Sequence, residues 1–516
     1  MLRLPCYAPH VYTMHKIGVI DLGSNTTRLI VMAYEPGRCF RLIDEVSETV
    51  RLAEGVGDSR ALQARPIYRA VEALSMFERF CRNTGVAQII AVGTSAIREA
   101  KNQEVFWQDL RRATSIDLRI ISAEEEAYFG YLGTINALAI SDGFVFDTGG
   151  GSTQVCAVRN RRLLRSFSAQ AGVLRFTERY VSSDPISKGD LRNLREGARR
   201  AFAGLDWVRA GAGMQLAGMG GTIRTLARID QKQRGYPLDR IHGYVLARAA
   251  VAAMVEQLAG RSRREREAIP GLKSDRADVT LAGAVIVDQL MEQGGFSELL
   301  VSGQGVREGL FYQHFLSPAD PPILPDQRAF SVLNLARLHD YEQSHCARVA
   351  ELCLSLFDQL APLHLYGSWE RELLGYAATI HDIGVQVGYY DHHKHSAYLV
   401  FNATLLGFSH REIVILASLV RNHRKGQADM TEFAQVLQPD DEQRVARLSA
   451  LLRIAEYLER SKSQVVRAIT VNPAEDPLRI IVHADGDPTV EIWDANRRAG
   501  LMKKAFGRPV EIVAAR

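Results

Sequence analysis

Two stretches of the chain present, in the same order, groups able to hold a cation beside an anion. Residues 17–31 read Ile-Gly-Val-Ile-Asp21-Leu-Gly-Ser-Asn-Thr-Thr-Arg-Leu-Ile-Val, and residues 144–155 read Phe-Val-Phe-Asp147-Thr-Gly-Gly-Gly-Ser-Thr-Gln-Val. Each is an apolar run, an aspartate, a glycine-rich turn, a hydroxyl and a second strand-like run. A glycine turn lets backbone N–H groups approach an anion closely, and a carboxylate at a strand end can hold a cation or a water beside it. Two facing copies could clamp a phosphate between two lobes. A third turn, Gly218-Met-Gly-Gly-Thr222-Ile-Arg224, precedes a helical pattern and would set amides at a helix N-terminus against another phosphate oxygen.

One carboxylate cluster lies between these turns, in Ile121-Ser-Ala-Glu-Glu-Glu126-Ala. Ser122 followed three residues later by Glu125 has the spacing of a capping box, which gives Glu125 a structural task. Glu124 favours the helix dipole.

With Asp21-Leu-Gly-Ser-Asn, Gly93-Thr-Ser-Ala-Ile-Arg98-Glu-Ala, Asp147-Thr-Gly-Gly-Gly-Ser152-Thr and Ser302-Gly-Gln-Gly-Val-Arg307-Glu-Gly-Leu, these motifs resemble the exopolyphosphatase and guanosine pentaphosphatase (Ppx/GppA) family. Its superfold is shared by actin, the heat-shock chaperone ATPases and sugar kinases. The resemblance implies Mg²⁺- or Mn²⁺-assisted hydrolysis of the terminal phosphoanhydride of inorganic polyphosphate, or of the 5′ end of the alarmone pppGpp. It also implies a homodimer. Residue by residue, it makes Glu126 the catalytic group that aligns the attacking water, and Asp147, with Asp21 and Glu126, the metal carboxylates. Arg98 becomes a phosphate contact. Asp21, Gly23, Ser24, Asn25, Thr94, Gly149, Gly150, Gly151, Ser152, Gly220, Gly221 and Thr222 surround the phosphate. Arg307 and Glu308 are expected to lock the lobe together. An ATP-binding, kinase-like module on the same superfold is the alternative from another class.

Farther on, His345, His381-Asp382, His395 and His423 are spread over helical patterns and followed by Glu456. This order resembles the HD domain, and implies a second divalent metal site that could carry the main chemistry while the front half senses substrate. Glu456 stands where that domain has an aspartate, and its longer arm alters metal geometry. The run Asp391-His-His-Lys-His395, with Arg261, Arg263, Arg264 and Arg266, could form a cationic path for a long polymer or a solvated charged face.

The elements that must position these groups follow from composition and pattern. The 516 residues, with 47% hydrophobic and 24% charged, suit three or four globular units. β-type runs at 17–20, 29–33, 89–92, 118–121, 144–146 and 299–301 alternate with helical ones, the grammar of an α/β fold. Four prolines in residues 317–326 forbid a continuous helix or central strand. The expected order is an N-terminal extension (1–14), an actin-like (ribonuclease H-like) lobe I (15–135), a like lobe II (136–316), the linker, an all-α HD-like domain (327–465) and a small α+β domain (466–516). In the last, strands are expected at 468–471, 479–482, 490–493 and 510–513, with a helix near 495–505. Residues 1–13 read as a dispensable extension.

A net charge of only +4 is too weak to wrap duplex nucleic acid by global field. No apolar run approaches the roughly 18–20 residues of a membrane span, because Arg248 and Glu256 interrupt the stretch after Tyr244. No secretory signal is evident in the opening residues, so the cytoplasm is the expected compartment. The six scattered cysteines show no metal spacing and read as reduced core thiols.

Overall fold

The computed structural model describes residues 14–426 and 429–515, the side chain of Asp58 apart. The expected extension 1–13, with Cys6, lies outside the described residues. The chain forms two compact units, the first ending at Pro325 and the second beginning at Asp326, within the proline-rich linker.

The first unit contains two sheets. Strands β1 (His15–Leu22), β2 (Thr27–Glu35), β3 (Cys39–Glu48), β4 (Gln88–Gly93) and β5 (Leu118–Ile120) lie in the order β3-β2-β1-β4-β5. Strands β6 (Gly143–Thr148), β7 (Thr153–Arg159), β8 (Arg162–Ala169), β9 (Gln215–Met219), β10 (Val245–Ala247) and β11 (Glu298–Val301) lie in the order β10-β11-β9-β6-β7-β8. Apart from the edge strand β10, the second order repeats the first. In both, a hairpin opens the sheet and parallel strands extend it on the other side of the opening strand. These are two actin-like lobes, and the internal echo of Asp21 and Asp147 is the echo of β1 and β6. Val19 and Ile20 are consecutive and both buried, as in a sheet covered on both faces.

Register sets the site. Leu22 pairs with Gly93 in β4, and Asp147 pairs with Met219 in β9. The loops after β1, β4, β6 and β9 therefore leave their sheets at strand C-terminal ends, where α/β sheets bind ligands.

The lobe boundaries differ from the expected 135/136 and 316. Helix Ala123–Ile135, assigned by sequence to lobe I, packs on β6, β7 and β8, and helix Val306–Phe315 returns to β1 and β2. The two helices cross where side chains are missing: a Cβ on Gly133 would overlap the backbone of Gly305, and one on Gly309 the carbonyl oxygen of Phe129. Tyr34 and Phe40 then meet Phe311 and Phe315 edge to face.

The second unit is a helical layer (Gln327–Leu338, Gln343–Gln359, Ser368–Ile380, His392–Asn402, His410–Asn422, Asp441–Leu458) with a sheet of β12 (Val466–Val471), β13 (Leu478–Ala484) and β14 (Val510–Ala514). Residues 327–465 and 466–516 are not separate bodies, since β12 packs on Gln343–Gln359 and the last two helices pack on Asp441–Leu458. Residues 490–493, expected as a strand, lie inside helix Thr489–Arg498. Helical spacing turns Glu491, Asp494 and Ala495 inward, where Glu491 accepts from Ser461 N–H and Asp494 pairs with Arg460, and leaves Val490 and Trp493 exposed. Those polar contacts outweigh the β-propensity of Val490 and Trp493.

Cys39, Cys81, Cys156, Cys346 and Cys353 are free and buried, as expected. Among the described residues, no helix is long and apolar enough to cross a membrane. Arg266, expected on a cationic path, is buried and donates to the carbonyls of Leu258 and Ala277.

Candidate active site

Three turns build one cleft in the first unit. In the β1–β2 turn, Gly23 N–H donates to Thr26 O (3.2 Å), and in the β6–β7 turn Gly149 N–H donates to Ser152 O (2.9 Å). The second turn is fastened from behind, because Val173 and Leu174 N–H donate to the carbonyls of Gly149 and Gly150 at 3.0 Å each. The turns face one another across the lobes at van der Waals range: a Cβ on Gly150 would fall 2.9 Å from Ser24 Cβ. In the third turn the backbone calls for glycine at Gly220, and Gly221 leaves room for an arginine. Gly220 has φ +93°, and a Cβ there would overlap Asp147 Oδ1, while one on Gly221 would overlap the Arg276 guanidinium.

Every residue expected at the phosphate and metal positions of this half lines that cleft, except Gly151 and Arg98. Gly151 faces an adjoining recess shared with Ser24 and Ser95, whose hydroxyls bond each other at 2.9 Å. Arg98, expected as a phosphate contact, donates from Nη1 to Ile121 O (2.8 Å) and to Glu126 Oε2 (3.1 Å). The guanidinium sits at the end of a single-turn helix, Ser95–Arg98, beside a free strand-end carbonyl and a buried carboxylate, and these hold it.

Glu126 reaches the cleft because its helix starts where the sequence indicates. Ser122 Oγ accepts from Glu125 N–H (3.0 Å), and Glu125 Oε2 accepts from Ser122 N–H (2.8 Å). That capping box leaves Glu124 exposed and turns Glu126 inward. Burial, with the charges of Asp21 and Asp147 nearby, pushes Glu126 up to about 8 against the pull of Arg98. Asp147 is raised to about 6 by burial and by Asp21, and Asp21 is raised by burial. Three carboxylates thus share one pocket in which ionisation of each opposes the others.

Facing them is a cationic wall that sequence reasoning missed or left without a role. Arg28, Arg224, Arg276 and Arg307 all line the cleft. Burial lowers Arg224 to about 9 and Arg276 to about 10, and the charge of Arg28 adds to both shifts. Crowded guanidiniums of this kind are relieved by a bound polyanion. Arg307 locks the lobe as expected, with Nη1 2.8 Å from Glu45 Oε1 and Nη2 3.6 Å from Glu308 Oε1, and also lines the cleft. Arg28 had a signal: it lies opposite Asp21 in the β1–β2 register. Arg276, on the short turn Ser274–Arg276, had none.

Asp21 Oδ1, Asn25 Oδ1 and Thr148 Oγ1 are buried cleft oxygens without a hydrogen-bond partner. An all-oxygen, carboxylate-rich donor set suits Mg²⁺ or Mn²⁺, so the residues present fit the cation that the motifs imply.

In the second unit, His345, His381 and Glu456 converge, as do Asp382, His392 and His423. His395 is a correction, since it stands one helical turn past His392 and is not in the cluster.

The chain matches the family model of the Ppx/GppA phosphatase family over residues 30–317, and that of Ppx/GppA phosphatase, domain III, over residues 327–483. Among solved structures it is similar to an exopolyphosphatase from Cytophaga hutchinsonii, at 25% identity and TM-score 0.55, covering 58% of this chain and 98% of that one. It is also similar to the Aquifex aeolicus member of the Ppx/GppA family, at 27% identity and TM-score 0.50, covering 58% of this chain and 96% of that one.

Proposed function

Because this chain belongs to the Ppx/GppA phosphatase family, we propose that it hydrolyses the terminal phosphoanhydride bond of inorganic polyphosphate and releases orthophosphate. The observation that carries this reading is the composition of the cleft: three carboxylates, glycine turns and four arginines. No aromatic side chain lines it among the described residues, so the cleft offers the guanine of pppGpp no aromatic platform, while its arginines suit a chain made of phosphates alone. The name of the Cytophaga hutchinsonii structure, an exopolyphosphatase, supports the same choice.

In this mechanism the arginine wall and the turn amides hold the phosphates of the chain end. Glu126, as carboxylate, takes a proton from water while that water attacks the terminal phosphorus. The bridging P–O bond breaks, the shortened polyphosphate leaves on its oxygen, and orthophosphate is formed. Arg98 fixes the Glu126 carboxylate from outside the cleft. A divalent cation held by Asp21 and Asp147 would neutralise charge on the phosphoryl oxygens.

The test is turnover of long-chain polyphosphate and of pppGpp, side by side, by wild-type protein and Glu126→Gln in Mg²⁺. Polyphosphate turnover that exceeds alarmone turnover and vanishes in the variant supports the proposal. Rapid pppGpp turnover with negligible polymer turnover overturns the substrate, and phosphate transfer to an acceptor other than water overturns the reaction.

A further inference from the structure

Arg276 enters the cleft with its guanidinium beside Gly221. Its neighbours in the cationic wall are tied down: Arg307 pairs with Glu45 and Glu308, and Arg224 donates from Nη1 to Gly303 O (3.0 Å). Among the described residues no hydrogen bond or ion pair holds the Arg276 side chain. Its place is therefore set by the backbone that carries it. On one side that backbone is fixed to the start of helix Thr280–Gly294, where Thr280 Oγ1 (2.6 Å) and Val279 N–H (3.2 Å) donate to Arg276 O. That helix packs on β6.

From the other side of the cleft, the segment after β3 grips the residues that flank Arg276. Arg51 Nη1 is 2.7 Å from Asp278 Oδ2, Arg51 Nη2 donates to Asp275 O (3.1 Å), and Thr49 Oγ1 donates to Asp275 Oδ2 (3.2 Å). A guanidinium that bonds a carboxylate and a carbonyl at once fixes direction as well as distance. Arg51 is itself fastened to the β1–β2 turn, since its N–H donates to Asn25 O (2.8 Å) and Ala53 N–H donates to Ser24 O (3.0 Å). Val50 and Leu52 on either side are buried, which anchors the segment in its own lobe. Arg51 has φ +48°, a left-handed backbone that disfavours arginine and persists only where the surroundings impose it. One residue thus links the turn that carries Ser24 and Asn25 to the turn that carries Arg276.

The charges agree with this division of labour. Burial lowers Arg276, and Asp275 and Asp278 oppose that shift. With Asp278 drawn onto Arg51, the carboxylate supports the Arg276 charge from a distance and leaves its N–H donors for a phosphate oxygen.

We propose that Arg51 is a positioning residue, which holds the turn Ser274–Arg276 in register with the β1–β2 turn so that both meet the same phosphate chain. Arg51 does not line the cleft and acts through Arg276. The ligand class, a linear phosphoanhydride, rests on the hydrolytic reading above, whereas the clasp needs no turnover to be tested.

The experiment is a mutant cycle in the full chain carrying Glu126→Gln, chosen to slow turnover. The Kd of inorganic tripolyphosphate in Mg²⁺ is read by calorimetry, and folding by thermal melting. Arg51→Asn removes the guanidinium and supplies a residue that accepts the left-handed backbone. Asp278→Asn breaks the same pair at constant size and completes the cycle if Arg51→Asn fails to fold. Each of these, and Arg276→Gln, should weaken binding by about 10- to 100-fold, the scale of a lost hydrogen bond to a charged group. Added to Arg276→Gln, Arg51→Asn should weaken it by less than about 2-fold more, because the two act as one. A strut without a role in binding would lower the melting temperature and leave Kd unchanged. That result, losses that multiply, or an Arg276→Gln variant that binds like its parent would each overturn the proposal. Polyphosphate turnover by the wild type separates the two readings. The expected cycle without turnover would overturn hydrolysis and keep the clasp, and turnover with an additive cycle would do the reverse.

Discussion

Nη1 of Arg98 stands 3.1 Å from Oε2 of Glu126, yet the Glu126 carboxyl is raised to about 8. The ion pair is outweighed by burial and by two neighbouring carboxylates. The glutamate is therefore poised near neutrality, where a general base is most effective. Replacing it by glutamine keeps the shape, removes the base, and should lower kcat on polyphosphate by about 10²- to 10⁴-fold. KM should change little, because Glu126 makes no ground-state phosphate bond in this mechanism. Steady-state kinetics check this, and a variant with near-normal kcat would remove Glu126 from the chemistry.

The same shift fixes the sign of two pH dependences. A base works deprotonated, so kcat/KM of the free enzyme should rise with pH and level off above about 8. For stability, the folded value lies above the unfolded value of about 4.3. The stabilising contribution of the Glu126 proton is full below that unfolded value and is lost as pH rises towards 8. Thermal melts across pH 4–8 should thus fall less with pH in Glu126→Gln than in wild type. Parallel curves would show that the carboxyl is not raised.

Gly220 shows how tightly the third turn is tied to the Asp147 carboxylate, proposed above to hold the cation. Its φ of +93° disfavours any side chain, and an added Cβ would overlap Asp147 Oδ1. Gly220→Ala must move either the turn or the carboxylate. It should cut activity at least about 10²-fold, the scale of losing a positioned catalytic element, and raise the Mg²⁺ concentration needed for half-maximal rate. An unchanged Mg²⁺ requirement would separate Gly220 from the metal position.

The parts legible in the sequence were those in which chemistry and local structure share a short segment. Asp21 and Asp147 could be paired because each ends a strand and opens a glycine turn, so a local motif already encodes the position. Capping geometry gave Glu125 its structural task, while Glu126 was assigned by the family resemblance. Arg276 could not be found, because an arginine on a short turn far along the chain has no periodicity or turn chemistry to mark its target. Arg98 was visible as a residue, but its bonds to the Ile121 carbonyl and the Glu126 carboxylate depend on tertiary packing. His392 and His395 lie one helical turn apart in one basic run, and only tertiary packing decides which enters the cluster. Residues 490–493 carried a strand signal that the burial of Glu491 and Asp494 overrode.

The crossing of helices Ala123–Ile135 and Val306–Phe315 also escaped the sequence reading, and it makes a stability prediction with opposed terms. Alanine at Gly309 would gain about 0.5–1 kcal/mol in helix propensity. Its Cβ, however, would overlap the carbonyl oxygen of Phe129, a backbone atom on a helix packed against the second sheet. Such an atom cannot swing aside like a flexible side chain, and overpacking of this kind costs about 1–3 kcal/mol. The clash should prevail, so Gly309→Ala should lower the temperature of half-inactivation of polyphosphate hydrolysis while leaving kcat at low temperature nearly unchanged. Because the crossing carries Glu126 on one helix and Arg307 on the other, a variant that instead lost kcat without losing thermal stability would mean that the crossing tunes the cleft rather than holding the lobes.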